Sequence, residues 1–508
     1  MNIPKKVVSC LDRLIFICIT TFLWGIVAHA YMFLDFYPSH DSLMIVTMDG
    51  NWEVSLGRFM EPIYILIRGA INAPWLVGLL SLLFLSLSLF IIIELLNIKR
   101  VTSIVMLCGL FTTHITITAL YATYMPFVDI YMLSFLFACS GIYLLEKYKS
   151  GIPFSIVCLA ISMGLYQSYI SCALTLALFL ILKKVLEGIT LSQLKKTIFR
   201  YGICFIGSAI LYLVLTKISL RLCNITLTDG YNGLNSLLKN GYKSIFRLIP
   251  NAYVHFFSCF WLLNGYNTII IRFCKILLFG ISCAMWITYL KEKNVNPIDK
   301  LIIGIFILIL PLGIDFTFIM ALGWAHILML LSFGFLFFLI FIPFESIQIK
   351  GMKSIVQYYS IIIICCCMIF HNITYANGAY YYKNLIGKKT DFYMVSLINE
   401  MDRMPGYVMG ETSVVVIGNF DTSYIANEHW GFEKYNDLIG MSSSSITYLD
   451  SFARYCSEVL GHPVNLVFAE DSIEYFSQLK EVIDMPVFPK EGFCKIINGT
   501  MVIKLQPV

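Results

Sequence analysis

The sequence predicts an all-α polytopic membrane domain followed by a small C-terminal α/β domain, and three observations lead to this fold class. Of the 508 residues, 58% are hydrophobic and only 13% are charged, whereas a soluble domain carries about 25% charged residues. Apolar runs recur up to about residue 374, many of them close to the roughly 20 residues with which a helix crosses a bilayer. Beyond residue 375 the composition is that of an ordinary soluble domain.

The membrane domain, residues 1–374, is expected to contain about 11 transmembrane helices. The first run has the character of a signal anchor, because no small-residue cleavage site lies between it and the next polar stretch. The segment NAYVHFFSCFWLL is a candidate for a further re-entrant or interfacial piece. The spans are expected near residues 12–33, 75–97, 101–120, 126–145, 152–166, 169–184, 201–218, 268–290, 300–316, 323–343 and 355–374.

Lysine and arginine residues indicate the orientation of these spans. They occur in every second connection and are absent from the opposite short loops, which places the basic connections in the cytoplasm. With the N-terminus also in the cytoplasm, three segments are expected on the outer side. They are an opening loop at 34–74, a second loop at 219–257 and the C-terminal domain at 375–508.

The C-terminal domain shows alternating helix and strand patterns. TSVVVIGNF and PVNLVFAE resemble buried strands, whereas DFYMVSLINEMDRM and SSITYLDSFARYCSEVL have helical spacing. In CKIINGTMVIKL, Asn498-Gly499 supplies the two φ > 0 residues of a tight type I′ turn, which predicts a β-hairpin. Cys456 and Cys494 lie in this domain and could pair, although their spacing does not require it.

Composition and missing motifs exclude several functions. The net charge is +5, but the basic residues form short clusters between apolar runs, so topology control explains them and nucleic-acid binding is not expected. Most cysteines lie inside apolar runs, where they behave as small hydrophobes. The sequence contains no GxxxxGK[ST], GxGxxG, HExxH or GxSxG motif and no Asp-x-Asp pair. Neither a metal site nor a bound cofactor is therefore predicted.

The opening loop gathers ionisable and aromatic side chains directly after the first span. The segment RFMEPIYILIRGA within it is amphipathic, and such a helix is expected to lie in the membrane interface. It would bring two guanidinium groups to the depth of lipid phosphates, whose oxygens suit the planar arginine fork. The candidate residues of the loop are Asp35, His40, Asp41, Asp49, Trp52, Arg58 and Arg68.

This combination predicts chemistry on a lipid-linked phosphate. A carboxylate can take the proton from an attacking hydroxyl while an anomeric carbon is displaced. An arginine can stabilise the charge that develops on the departing phosphate. An acid in such a loop is more often merely solvated, and the prediction depends on the loop combining both charge signs with aromatic residues and glycine turns.

Other polar residues are expected near the same outer side. Asp129 begins a span, where it either lines a cavity or is a capped structural acid. Tyr166-Gln167 interrupts an apolar run at an outer turn. His326 is a further candidate for the cavity, although a lone histidine on an apolar face is more often a satisfied core residue.

These residues together resemble the GtrII-type membrane glucosyltransferases, the serotype-converting enzymes that decorate bacterial O-antigen. The resemblance touches both ends and the middle of the chain. The family often has two adjacent acids where this chain has Asp41-Ser42. If a second acid is needed, its role therefore falls to Asp35 or Asp49. The matching positions are Asp41, Gly50, Trp52, Gly57-Arg58, Asp129, Tyr166-Gln167 and the tail at 485–505.

The resemblance implies a GT-C-like fold in the bacterial inner membrane. It further implies a polyprenyl-phosphate-linked glucose donor and a periplasmic, lipid-linked O-antigen-type polysaccharide acceptor. A cytoplasmic-side donor synthase and a flippase are then expected as further partners, besides membrane lipids. The reading from the residues alone reaches only a polytopic enzyme that acts on a lipid phosphate at the outer face.

The resulting hypothesis gives each candidate residue a role. Asp41 is the general base, Arg58 holds the donor phosphate with Arg68 in reserve, and Trp52 stacks on a sugar or anchors the interface. Asp129 and Gln167 orient acceptor hydroxyls. The alternatives are a lipid or saccharide transporter or flippase, which the absence of a visible internal repeat weakens, and a polysaccharide polymerase.

Overall fold

The computed structural model describes most of the chain. The residues described are 10–35, 37–39, 41–44, 50–71, 73–229, 234–262, 266–293, 295–347, 351–420, 431–438, 440–441, 446 and 448–507, without the side chains of residues 41, 44, 240–245 and 353. The chain divides into two compact units. The first comprises Met1–Phe33, Asp49–Tyr121 and Phe127–Asn377, and the second comprises Leu34–Met48, Ala122–Pro126 and Gly378–Val508.

Helices dominate the chain up to residue 402. In chain order they are α1 Cys10–Leu34, α2 Asn51–Ser55, α3 Met60–Arg68, α4 Pro74–Leu96, α5 Val101–Thr112, α6 Ile115–Thr123, α7 Val128–Lys147, α8 Ile152–Leu165, α9 Ile170–Leu186, α10 Leu191–Leu222, α11 Leu234–Trp261, α12 Ile269–Glu292, α13 Pro297–Ile314, α14 Phe316–Met320, α15 Leu336–Phe344 and α16 Met352–Asp402. Short 3-10 segments connect several of them.

The described helices agree with a polytopic membrane protein. Among the described residues, nine helical segments are long and apolar enough to cross a bilayer, and each overlaps an expected span. The expected spans at 152–166 and 323–343 correspond to the shorter apolar segments Ile152–Leu165 and Leu331–Phe344.

Several helices begin at residues that cap their first amide groups. Thr190 and Gln193 form a reciprocal capping box at the start of α10, with Gln193 N donating to Thr190 Oγ1 over 3.3 Å. The side chain of Asn296 accepts from Asp299 N over 2.8 Å at the start of α13. Such caps satisfy amide groups that have no partner within the helix, and they define where these helices start.

Helices α11 and α16 extend through segments in which the sequence indicated a loop or a helix boundary. The part of the chain expected as a second outer loop is mostly α11, whose buried Leu248, Ala252 and Phe256 recur every four residues and so lie on one helical face. The last expected span and the helix expected at 391–404 are both parts of α16, which has 51 residues. No proline interrupts the polar stretch between them, so nothing local ends the helix there.

The second unit contains a four-stranded sheet in the order β2-β1-β4-β3. The strands are β1 Ser413–Ile417, β2 Asn465–Leu466, β3 Cys494–Ile497 and β4 Thr500–Lys504. β1 pairs in parallel with both β2 and β4, whereas β3 and β4 are antiparallel. Asn498 and Gly499 have φ of 53° and 77°, so the expected hairpin turn is confirmed.

Three helices accompany this sheet, namely α17 Leu449–Arg454, α18 Glu470–Gln478 and α19 Lys480–Ile483. The second strand is much shorter than its apolar pattern indicated, because only Asn465 and Leu466 pair with β1. Cys456 and Cys494 are both buried free thiols, so the pairing considered from the sequence is not formed.

Candidate functional site

The residues that follow α2 form a tight turn between two short helices of the first unit. Gly57 has φ of 85°, a left-handed conformation that favours glycine. A Cβ atom at this position would lie 2.5 Å from the hydroxyl of Tyr212 on α10. Both the backbone conformation and the lack of space for a Cβ atom therefore require glycine at position 57. The turn also determines where the Arg58 side chain leaves the backbone.

Arg58 lies between a carboxyl group and an aromatic ring. Its guanidinium carbon is 5.0 Å from the centre of the Tyr166 ring, a distance at which a cation interacts with the ring face. Its Nη1 is 3.8 Å from Oε2 of Glu61, one turn further along the chain. The Arg58 side chain remains 16% exposed, so part of this cation is accessible from outside the protein.

Glu61 is nearly fully buried, with 1% of its side chain exposed. Burial disfavours the carboxylate and raises the pKa of Glu61 to about 8, although the Arg58 charge opposes this shift. At neutral pH the Glu61 carboxyl group is therefore mostly protonated, and it neutralises little of the Arg58 charge. Glu53 on α2 is a second buried acid of this region, and its carbonyl oxygen accepts from Arg58 N over 2.8 Å.

Arg68, at the end of α3, forms a buried ion pair with Asp129 at the start of α7. Arg68 Nη1 is 2.7 Å from Asp129 Oδ1, and the two side chains are 2% and 0% exposed. The hydroxyl of Tyr64 donates to Asp129 Oδ2 over 2.8 Å, and Ile130 N donates to Oδ1 over 3.0 Å. Both oxygens of Asp129 are thus engaged, and the acid connects α3 to α7.

The two antiparallel helices α7 and α8 bring Asp129 and Tyr166 to one end of the bundle. The hydroxyls of Ser134 and Ser162 each donate to the other residue's carbonyl oxygen over 2.9 Å, and these small side chains let the two backbones approach closely. Because α7 begins where α8 ends, the residues before α7 and after α8 lie at the same level.

Gln167 connects the turn after α8 to the turn after α2. Its Nε2 donates to the carbonyl oxygen of Leu56 over 2.7 Å and to the hydroxyl of Tyr212 over 3.0 Å. These bonds hold the segment that carries Arg58 against α10. Gln167 therefore has a structural role in this arrangement, whatever it contacts in a substrate.

We call Arg58, Glu61, Arg68, Asp129, Tyr166 and Gln167, with Glu53, Tyr64 and Tyr212, the arginine cluster. Five of these side chains were candidates from the sequence, and the structure brings them together. Glu53, Glu61, Tyr64 and Tyr212 were not candidates. For Glu61 and Tyr64 a signal existed, because they occur three and four residues before or after the arginines on the same amphipathic segment. No local pattern points to Tyr212, which is distant in sequence.

Helix α3 presents three apolar side chains outward, whereas its charged side chains and Ile65 face inward. Ile63, Leu66 and Ile67 are exposed, the last two by 80% and 79%. An interfacial helix with this polarity is expected to face lipid with its apolar side. Arg68, however, faces the protein and is paired, so Arg58 is the more accessible of the two arginines.

The remaining candidates lie elsewhere. His40, Asp49 and the side chain of Asp41 lie outside the described residues. The backbone of Asp41 begins a 3-10 turn, Asp41–Met44, which packs against α17 within the second unit. Asp35 is exposed just after α1, and Trp52 is an exposed residue of α2.

His326 lies between α14 and α15 in the first unit. Its ring is partly buried, with its centre 3.7 Å from that of the Trp324 ring in an edge-on arrangement. This environment agrees with an aromatic packing role beside Trp324.

The fold and the cluster together define a polytopic membrane protein with ionisable groups gathered at one end of its helical bundle. A family model described as glucosyl transferase GtrII matches residues 30–341, which include the whole arginine cluster. The match covers more than half of the chain, and the chain belongs to this family. The resemblance in the sequence is thereby confirmed. No curated protein and no solved structure matches the chain significantly.

Proposed function

We propose that this glucosyltransferase-family protein moves a glucosyl group from polyprenyl phosphate to a lipid-linked, O-antigen-type polysaccharide. The reaction takes place at the periplasmic face of the bacterial inner membrane, with a cytoplasmic-side donor synthase and a flippase supplying the donor. The observation that carries the proposal is the family match over residues 30–341. The GT-C-like fold and the periplasmic position of the C-terminal domain belong to the same proposal.

The proposed reaction is a single displacement. Asp41 takes the proton of an acceptor hydroxyl, the hydroxyl oxygen bonds to the anomeric carbon, and the bond from that carbon to the phosphate oxygen breaks. The products are the glycosylated polysaccharide and polyprenyl phosphate, and the configuration at the anomeric carbon inverts. The protons and bonds of this reaction balance without a metal ion or a bound cofactor.

Arg58 is the residue proposed to hold the donor phosphate. Its side chain is partly accessible, with 16% exposed, and a guanidinium group at this place can donate charge-assisted hydrogen bonds to a phosphate. Arg68 is already neutralised by Asp129. We therefore assign Arg68 and Asp129 to positioning α3 rather than to contact with the phosphate or the acceptor.

The test is transfer of labelled glucose from polyprenyl phosphate to lipid-linked polysaccharide in membranes with matched protein levels. Asp41→Asn is expected to reduce transfer by about 100-fold or more, the usual contribution of a general base. Arg58→Gln is expected to reduce it by at least about tenfold, since a charge-assisted hydrogen bond contributes about 1.5–3 kcal/mol. Asp229→Asn, which alters an exposed acid paired with Lys239, serves as the control and should leave transfer unchanged.

Each contrary result points to a defined alternative. Full activity of Asp41→Asn would remove Asp41 as the base and make Asp35 or Asp49 the next candidates. Movement of labelled lipid without a new glycosidic bond would favour a transporter or flippase, and a ladder of products would favour a polymerase. A product that retains the donor's anomeric configuration would contradict single displacement.

A further inference from the structure

A second group of cations lies in the first two turns of α12, on elements that contribute nothing to the arginine cluster. Arg272 and Lys275 are the fourth and seventh residues of this 24-residue helix, a candidate membrane span. Both side chains are partly buried. Residues three apart on a helix are neighbours on one face, so the two positive charges lie side by side.

The contacts of Lys275 hold its ammonium group in a defined place. Lys275 Nζ donates to Asn267 Oδ1 over 2.8 Å and lies 5.1 Å from the centre of the Phe260 ring. Asn267 is fully buried, and its Nδ2 donates to the carbonyl oxygens of Phe260 and Leu262. Because the amide nitrogen is engaged in this way, its oxygen points at the lysine. The Asn267 amide and the Phe260 ring therefore orient the Lys275 side chain, which does not extend freely into solvent.

Neither cation has a carboxylate partner among the described residues. The Arg272 side chain forms no hydrogen bond or ion pair with the described residues, and its Nε is buried. Three other basic side chains of the helical bundle are paired with carboxylates. Arg13 pairs with Glu94 at 2.6 Å, Arg68 with Asp129 at 2.7 Å and Lys184 with Glu146 at 2.7 Å.

This placement is unfavourable without an anion. The start of a helix carries the positive end of its dipole, which repels cations. Like charges on one helical face repel each other, and charged groups within a membrane span are costly unless they are paired. Each of these costs decreases when an anion binds between the two side chains. Within the described residues, no carboxylate neutralises the positive charges of Arg272 and Lys275.

The depth of the two residues matches that of a lipid phosphate. At 1.5 Å per residue, α12 is about 36 Å long, slightly more than the roughly 30 Å hydrocarbon core. Arg272 and Lys275 begin about 5 Å and 9 Å from the first residue of the helix, and long basic side chains reach toward the headgroups. The expected topology puts this end of α12 on the outer side, as it does the opening loop.

We infer that Arg272 and Lys275 form a second anion site, which binds the phosphate or diphosphate group of a lipid-linked substrate while Arg58 serves the donor. The inference rests on the proposed function only for the choice of a polyprenyl chain as the lipid. Two cations one helical turn apart can contact both phosphates of a diphosphate. The site is therefore assigned to the lipid that carries the acceptor polysaccharide.

The test is direct binding of farnesyl diphosphate, a short polyprenyl probe, to the purified full-length protein in nanodiscs. Arg272→Gln and Lys275→Gln are each expected to weaken binding by about tenfold or more, which corresponds to about 1.4 kcal/mol. Lys275→Arg, which keeps the charge, should retain most of the affinity. Arg221→Gln, which removes an exposed cation at the end of α10, is the matched control and should bind like the wild type.

Stability without ligand separates binding from folding. The Arg272 side chain has no partner among the described residues, so Arg272→Gln should leave the thermal midpoint of the ligand-free protein unchanged or raise it, because repulsion from Lys275 is relieved. A lower midpoint for Arg272→Gln, with unchanged binding, would show a structural role and overturn the inference. Failure of glucose transfer while this binding pattern holds would count against the proposed reaction only.

The comparison of probes identifies the source of the anion. The wild type should bind farnesyl diphosphate at least about tenfold more tightly than inorganic diphosphate. Equal affinity for the two would indicate a site for a free anion and overturn the lipid assignment. Equal weakening by Arg221→Gln would indicate diffuse electrostatic attraction and overturn the site itself.

Discussion

Breaking the buried ion pair between Arg68 and Asp129 should destabilise the protein strongly. Asp129→Asn removes the carboxylate that faces the buried Arg68, and Arg68→Met removes the guanidinium that faces the buried Asp129. The two side chains are only 0% and 2% exposed, so solvent screens a charge at either position little. Removing one partner of such a pair costs about 3–5 kcal/mol.

The double variant should be less damaged than the two single variants together. With both charges removed, no isolated charge remains, and replacing a buried pair by uncharged groups is often close to neutral. The hydroxyl of Tyr64 keeps an amide oxygen as its acceptor in Asp129→Asn, so its hydrogen bond should survive. The expected coupling between the two substitutions is on the order of 3 kcal/mol.

The assay is chemical denaturation of the purified variants in mixed micelles, followed by tryptophan fluorescence. Arg403→Met provides the control, since Arg403 and Glu400 pair at 3.2 Å with side chains 75% and 41% exposed and such pairs contribute about 1 kcal/mol or less. Free energies of unfolding that simply add in the double variant would refute the buried-pair argument. So would single variants that lose no more than the control.

Two further predictions concern the neighbouring residues. Because the folded protein holds a proton on Glu61 up to a pKa of about 8 against an ordinary 4.5, stability should fall as pH rises between these values, by up to about 1.4 kcal/mol per unit. Unfolding midpoints measured over this range should lose that slope in Glu61→Gln, and parallel curves for both proteins would contradict the assignment. Gly57→Ala should reduce stability by about 1 kcal/mol or more, because its Cβ would meet the Tyr212 hydroxyl at 2.5 Å in a left-handed backbone. It should also reduce glucose transfer by moving Arg58, whereas Gly188→Ala, with φ of 81° and open space around it, should affect stability alone.

Much of the fold could be predicted because its signals are local. Apolar runs near the length of a bilayer span locate the helices, and every expected span has a helical counterpart in the described residues. The Asn498-Gly499 pair defines the hairpin because few residues adopt two successive positive φ values. These features depend on neighbouring residues, so one sequence is enough to reveal them.

The parts that could not be predicted depend on which helices meet. Arg68 was expected to face lipid phosphates, and its pairing with Asp129 follows from the packing of α3 beside α7. Tyr212 reaches the Gly57 turn only because α10 passes beside it. The length of α16 was missed for a different reason. Its polar stretch contains Gly378 and Gly387, which have low helix propensity and so indicate a boundary, yet the stretch has no proline and buries side chains such as Tyr380.

The outward apolar face of α3 makes the bilayer itself part of this protein's architecture. A nine-residue helix is too short to be stable alone, and on its outer side Leu66 and Ile67 contact little protein. Lipid hydrocarbon chains would cover this exposed apolar face. They would thereby favour packing of α3, and of the Arg58 turn before it, against the rest of the protein. Lipid composition, and the detergent chosen for purification, are therefore expected to affect the position of the Arg58 turn.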